Sequence, residues 1–249
     1  MSTSPLSTHA LRQWVKARNN PASELVYQLL TGLKYFSIPP IPVVHSVFYK
    51  IHIGVREMWH GFTRIFWYTP LFQSRLEEPA PNLYLYGGMP FILGSVRIRL
   101  GKGCRVGGGL MNIGGRTTGT QVPLLEVGDN VDLGWNAALM VGTKIRIGNN
   151  VRLAEGTFLA GYSGHSMDAE ARARGEGDAE ETIGDIVLED DVWIATRVTV
   201  LSGVTIGRGT IVGTGSVVTK DLPPFVLAAG NPARIIRKLN PGLEADSAA

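Results

Sequence analysis

Six aliphatic residues, Leu188, Ile194, Val200, Ile206, Val212 and Val218, follow one another at intervals of six without a gap. Two places before each stand Ile186, Val192, Val198, Val204, Thr210 and Ser216, and the residue after is often small, as at Ala195, Gly207 and Gly213. An α-helix scatters such a set around its circumference, whereas a strand-and-turn unit returns it to one place. A sustained period of six therefore predicts a parallel β-helix assembled from hexapeptides. One aliphatic per unit points into the tube, and small residues let the chain turn at each corner. Successive coils then bond as parallel strands about 4.8 Å apart.

The period also runs through Val127, Leu133 and Leu139 and, after a slip of two residues, through Ile147, Leu153 and Leu159. Looser copies surround Leu93-Gly94, Leu100-Gly101, Val106-Gly107 and Ile113-Gly114, so the β-helix is expected over 81–239. The 31 glycines lack the three-residue period of collagen and fit many tight turns. Between Leu159 and Ile186 the period fails. This excursion, Ala160 to Asp185, is polar and contains His165. A long loop leaving a regular solenoid is where function is sought first.

Residues 1–80 follow another pattern. Leu11, Trp14 and Val15, then Leu25, Leu29, Leu30 and Leu33, recur at helical spacing, punctuated by Pro21 and by Ile38-Pro39-Pro40-Ile41-Pro42. A third apolar and aromatic stretch, Val43 to Tyr68, is broken by Lys50, Arg56, Glu57 and Arg64, which disfavours a membrane-spanning helix. Two readings of it stand. It is a helical cap with its aromatics in a core, or an interfacial helix whose Trp59, Phe62, Phe66, Trp67 and Tyr68 suit a headgroup boundary. Residues 240–249 are expected to form a disordered tail.

The net charge of +3 is unevenly spread: residues 1–80 hold eight Lys/Arg against four Asp/Glu, and the rest hold sixteen against seventeen. A nucleic-acid binder shows a denser basic stripe, so no nucleic-acid partner is expected. The N-terminal excess fits a weak surface attraction. Cys104 is the single cysteine, which excludes an internal disulfide and multi-cysteine metal sites and fits a reducing compartment. Met1 to Thr8 lack a basic segment followed by an apolar core, so no signal peptide is expected and the location is expected to be cytoplasmic.

The stretch Val192-Trp193-Ile194-Ala195, then Gly203-Val204-Thr205-Ile206-Gly207, Gly213-Thr214-Gly215-Ser216-Val217-Val218-Thr219-Lys220-Asp221 and Ala229-Gly230-Asn231-Pro232-Ala233-Arg234 form an ordered series. It resembles the hexapeptide-repeat acetyltransferases, in particular the branch of maltose, galactoside and nodulation-factor O-acetyltransferases. The resemblance is close over 125–239 and loose over 92–124. It implies a left-handed parallel β-helix with a helical N-terminal extension and a short C-terminal helix, assembled as a homotrimer. It further implies acetyl-CoA as acyl donor, bound between coils of adjacent subunits, no metal, and a saccharide acceptor.

In that family a loop leaving the β-helix carries a histidine that deprotonates the acceptor hydroxyl. Here Gly164-His165-Ser166-Met167-Asp168 resembles its signature, with Ser166 in place of proline, and this implies His165 as catalytic base. Imidazole suits the task, because transfer from a thioester to an alcohol needs a base near neutrality. The same comparison implies pantetheine contacts at Thr196, Thr214 and Thr219, CoA-phosphate contacts at Arg234 and Arg237 with help from Lys220, and a cleft wall at Trp193. Family members often carry an acceptor-binding asparagine directly after the aliphatic near Leu133. Gly134 stands there in this chain, followed by Trp135 and Asn136. Trp135, Asn136 and Asp168 are the acceptor-site candidates, and a turn-forming role for Asn136 is the equal alternative.

The fold alone does not fix function. A γ-class carbonic anhydrase needs three histidines around zinc, but His9, His45, His52 and His60 are all N-terminal. A sugar nucleotidyltransferase needs a glycine-rich nucleotide-binding domain that residues 1–80 lack. The remaining competitor is a non-catalytic scaffold. For an enzyme, the basic and aromatic extension suggests a cell-surface glycan or its lipid-linked precursor, in polysaccharide biosynthesis at the inner membrane face. A small xenobiotic alcohol or an amino sugar is the alternative acceptor.

Overall fold

Every aliphatic of the six-residue register from Leu188 to Val218 faces inward, none more than 1% exposed. The computed structural model describes residues 7–116, 121–177 and 182–240, and these form a left-handed parallel β-helix preceded by helices. The positions two before the register are also buried, no more than 2% exposed, so each hexapeptide puts two side chains inside rather than one. Among them are two hydroxyls. Thr210 donates to the Pro223 carbonyl (2.7 Å) and Ser216 to the Gly213 carbonyl (2.6 Å), which removes the penalty of burying an unpaired polar group.

The coils stack into three faces. Among the described residues, the first face has eight strands, the second six and the third five. Tyr84–Tyr86, Asp132–Leu133, Trp193–Ile194 and Val226–Gly230 belong to the first face. Ala138–Val141, Phe158–Ala160 and Val217–Val218 belong to the second, and Lys144–Ile147 and Ile186–Leu188 to the third. At the corner from third face to first, Asn130, Asn150 and Asp191 take left-handed backbone (φ 55°, 58° and 63°). Asparagine and aspartate tolerate this conformation. Their side chains form a ladder: Asn130 donates to Asn150 and Asn150 to Asp191, each at 2.9 Å. Arg208 closes it on Asp191 at 2.9 Å, and the Asn150 bond with this ion pair holds the Asp191 carboxyl below its usual range.

Three details differ from the sequence expectation. The slip after Leu139 is absorbed by four-residue strands, Ala138–Val141 and Lys144–Ile147, which bury Val141 as an extra inward residue before the regular pair Ile145 and Ile147. Leu93 is exposed, and its neighbour Ile92 pairs with Ile113 and packs on the core instead. The expected C-terminal helix carrying Arg234 and Arg237 is a strand, Ala233–Lys238, antiparallel to Val226–Gly230. Gly230 (φ 109°) begins the reversal, β-branched Ile235 and Ile236 suit a strand, and pairing covers the open edge of the last coil. Of the expected tail over 240–249, residues 241–249 lie outside the described residues.

The chain divides into two units between Val55 and Arg56. The first contains α1 (Thr8–Ala17) and α2 (Pro21–Tyr35). Ser7 caps α1 through the Ala10 N–H. Asn20 and Ser23 form a reciprocal capping box on α2, with Pro21 in its first turn. α3 (Pro42–Thr63) crosses the division and continues through a π-helical turn, Arg64–Tyr68, into α4 (Thr69–Gln73). Fully buried Phe72 of α4 joins Ala80 and Leu85 in the β-helix core, with Tyr68 and Leu76 packed against it. The first coil is thus covered by residues 68–80. Trp59, Phe62, Phe66 and Trp67 remain exposed.

Candidate active site

The sequence-predicted residues fall on two corners. At the corner from second face to third, the chain leaves the solenoid after Phe158–Ala160 and returns at Ile186–Leu188. The loop is tied down around His165. Ser163 donates to the His165 carbonyl (2.9 Å), Arg172 donates to the Ser166 and Met167 carbonyls (2.8 and 3.2 Å), and the Asp168 N–H donates to Ser166 Oγ (3.2 Å). The imidazole is exposed and takes no hydrogen bond within the described residues. Its position comes from the backbone ties. Asp168 caps the short helix α5 (Ala169–Ala173), its carboxylate accepting from the Ala171 N–H at 2.7 Å. Exposed Thr219 and Lys220 follow the strand Val217–Val218 at this same corner, two coils further on.

The corner from first face to second carries the rest. Half-buried Thr196 accepts a hydrogen bond from the Gly215 N–H through its carbonyl (2.9 Å), which stacks it beneath Thr214. Exposed Arg234 pairs with Ala229 beyond that corner, and exposed Arg237 pairs with Leu227. Trp135 and Asn136 belong to the same column. Asn136 takes φ 54° and its amide donates to Glu155 (3.0 Å), the geometry of a corner residue. Gly134 has a steric reason: a Cβ there would run into the Leu153 carbonyl, so this backbone excludes an asparagine. Trp193 stands half exposed on the first face, on the coil before Ile211.

A cleft of about 760 Å³ opens beside Trp135, within the second unit. Sequence reasoning missed it, although the aromatic-aliphatic-aromatic alternation of Tyr84-Leu85-Tyr86 signals outward aromatics; Tyr84 is exposed, Leu85 buried and Tyr86 half-buried. Trp135 lies nearly parallel to Tyr86 (centroids 5.8 Å apart, planes 29°), and Tyr86 to Tyr84 (6.5 Å, 27°). The Tyr86 hydroxyl donates to Asp132 (2.9 Å) and lies 2.9 Å from the Leu133 carbonyl, while Arg105 pairs with Asp132 at 3.3 Å. Burial and the Asp132 carboxylate push the Tyr86 phenol well above its ordinary range, so it stays protonated. Among the described residues no group of three His, Cys, Asp or Glu is arranged to hold a metal ion.

Comparison with known proteins matches residues 185–220 to the family model described as bacterial transferase hexapeptide (six repeats). Residues 185–220 thus match a run of hexapeptide repeats. The chain is 37% identical over 116 residues to galactoside O-acetyltransferase of Escherichia coli, covering 47% of the chain and 55% of that relative. The chain thus spans about half the length of the curated relatives it matches. Among solved structures, AntD, an N-acyltransferase from Bacillus cereus crystallised with dTDP and 3-hydroxybutyryl-CoA, superposes with a TM-score of 0.53 at 16% identity. That superposition covers 69% of this chain and 87% of AntD, and it supports the fold. A maltose O-acetyltransferase from Clostridium difficile 630 matches at 25% identity and a TM-score of 0.42, covering 69% of this chain and 74% of the other.

Proposed function

We propose that this chain is an acyl-CoA-dependent O-acetyltransferase that moves the acetyl group of acetyl-CoA to a hydroxyl of a saccharide, with His165 as general base. The observation that carries the reading is the long excursion between Phe158–Ala160 and Ile186–Leu188, tied by its backbone so that the His165 imidazole projects from it. His165 takes the acceptor proton as the hydroxyl oxygen attacks the thioester carbonyl. The tetrahedral intermediate collapses to the ester, and the departing CoA sulfur recovers the proton. Incubation with labelled acetyl-CoA and a panel of neutral, acidic and lipid-linked glycans, read by mass spectrometry, tests this. Transfer to none of them, with CoA unbound, rejects it in favour of a scaffold.

The reading includes a homotrimer. His165, Thr219 and Lys220 lie on one corner and Trp135, Thr196 and Thr214 on another, with the whole second face between them. One copy does not bring the two sets together. A three-fold arrangement sets one corner of each copy against the other corner of the next. Light scattering at micromolar concentration is expected to give three chain masses, and a fully active monomer contradicts the proposal.

Arg234 and Arg237 are proposed to meet the CoA phosphates. Each hydrogen bond to a charged group contributes about 1.5–3 kcal/mol, so each alanine substitution is expected to weaken acetyl-CoA binding about tenfold or more. Most of that loss vanishes with 3′-dephospho-CoA if the contact is to the 3′-phosphate. Equal losses with both cofactors, measured by calorimetry, assign the arginines elsewhere.

We further propose a cytoplasmic location with peripheral contact at the inner membrane face. No helix among the described residues is long and apolar enough to cross a membrane. Phe62, Phe66 and Trp67 stay exposed, and residues 1–80 carry the +4 excess. Each basic residue near an anionic leaflet contributes about 1 kcal/mol, and three copies add avidity. Vesicles containing phosphatidylserine are expected to sediment the protein at low salt, and Phe66→Glu with Trp67→Glu to abolish it. No sedimentation of the wild type at low salt ends this reading.

A further inference from the structure

We propose that the cleft beside Trp135 holds an anionic saccharide chain, its sugar rings lying on Tyr86 and Trp135 and its acidic group against Arg64. This rests on the acetyl-acceptor reading above and names the acceptor class.

The first argument is shape. Tyr84, Tyr86 and Trp135 form a row of three nearly parallel rings with centroid steps of 6.5 and 5.8 Å. Such a row is longer than one base or one sugar, so it suits a ligand that extends. A pyranose has apolar C–H faces and a hydroxylated rim, and the electron-rich face of an aromatic ring complements those C–H groups. A cleft of about 760 Å³ with aromatic walls and a few polar groups is the usual form of a small-ligand site.

The second argument is rigidity. Tyr86 spends its hydroxyl on Asp132, which Arg105 holds in turn, so Tyr86 offers a fixed ring face rather than a mobile donor. A wall set before binding loses little entropy when the ligand arrives. Trp135 lies directly after Gly134, whose backbone excludes a side chain and leaves the indole as the polar-tipped surface of that corner.

The third argument is charge. Arg56 is paired with Glu57 at 3.2 Å. Arg64 has no carboxylate partner among the described residues, and its guanidinium stands 4.5 Å above the Tyr84 ring. Held there by the ring, it is free to pair bidentately with a carboxylate or phosphate. His60 is a second donor on the same wall. Arg56, Glu57 and Arg64 together leave the cleft one positive charge.

Calorimetry on the full chain tests this with four probes: an oligohexuronate, a hexose phosphate, a neutral malto-oligosaccharide and UDP. The expected result is that the oligohexuronate or the hexose phosphate binds at least tenfold tighter than the neutral chain, and which of the two does so names the acid. Trp135→Ala and Tyr84→Ala should each weaken that binding tenfold or more, with Trp135→Phe restoring most of it. Arg64→Gln should erase the preference for the charged probe while the neutral chain binds as before. Acidic saccharide bound by the wild type without acetyl transfer sinks only the transferase reading, so the two proposals fail separately. Binding insensitive to Trp135→Ala and Tyr84→Ala, or UDP as the only ligand, overturns the cleft assignment.

Discussion

Replacing His165 with alanine is expected to slow acetyl transfer by roughly 10²–10⁴-fold, the usual contribution of a positioned general base. The fold should survive, because the loop is held through main-chain atoms. Ser163 bonds to the His165 carbonyl and Arg172 to the carbonyls of Ser166 and Met167, and none of these bonds uses the imidazole. CoA affinity should also be nearly unchanged, since the ring is proposed to act on the acceptor. The loss therefore belongs in kcat, with the dissociation constant for acetyl-CoA flat. Asp168→Ala gives a useful contrast. Its carboxylate caps α5, so its removal is expected to loosen the loop by about 0.5–2 kcal/mol and to act on turnover only through His165. Steady-state assays with labelled acetyl-CoA measure both. A His165→Ala enzyme that keeps more than half the wild-type kcat removes His165 from the mechanism.

The solenoid is legible in the sequence because burial imposes its own period. Leu188 through Val218 show it without a gap, and even Thr210 and Ser216 keep the register, since the Pro223 and Gly213 carbonyls receive their hydroxyls. The excursion is legible as the place where that period stops. Other features depend on partners that spacing does not reveal. Whether Ala233–Lys238 forms a helix or a strand is decided by the unpaired edge of Val226–Gly230, which exists only once the last coil has formed. Asp168 and Asn136 carry polar side chains equally suited to a ligand or to the backbone, and here they bond to Ala171 and Glu155. The aromatic cleft is the hardest to see. Arg64, Tyr84 and Trp135 come from a π-helical turn, the first coil and a later corner, and no local pattern joins them. Residues 43–68 show the limit from the other side: aromatic content suits a cap and a membrane surface alike, and it is Phe72, outside that stretch, that enters the core.

Ile194→Ala is expected to destabilise the β-helix by about 2–5 kcal/mol, while Trp193→Ala, the larger truncation, costs about 1 kcal/mol or less. The two residues form one two-residue strand and point to opposite sides of it. Ile194 is fully buried and lies in register between Leu153 and Val212 of the neighbouring coils. Its removal leaves a void lined by aliphatics, and a close-packed tube with hydrogen-bonded walls has little freedom to collapse into it. Trp193, half exposed, rests between Arg152 and Ile211 on the outer face, where water replaces much of what it loses. The architecture sharpens the contrast. A solenoid coil touches only its neighbours, so a weakened coil is not propped up by distant contacts. Ile194 also lies two residues before Thr196, on a coil between the His165 loop and the arginine strand, so loosening it should reduce acetyl-CoA binding as well as melting temperature. Urea unfolding of both variants measures the difference. Equal losses, or a larger one for Trp193→Ala, mean that the outer face of this coil is buried against another copy. In that case the tryptophan stabilises an interface rather than a surface.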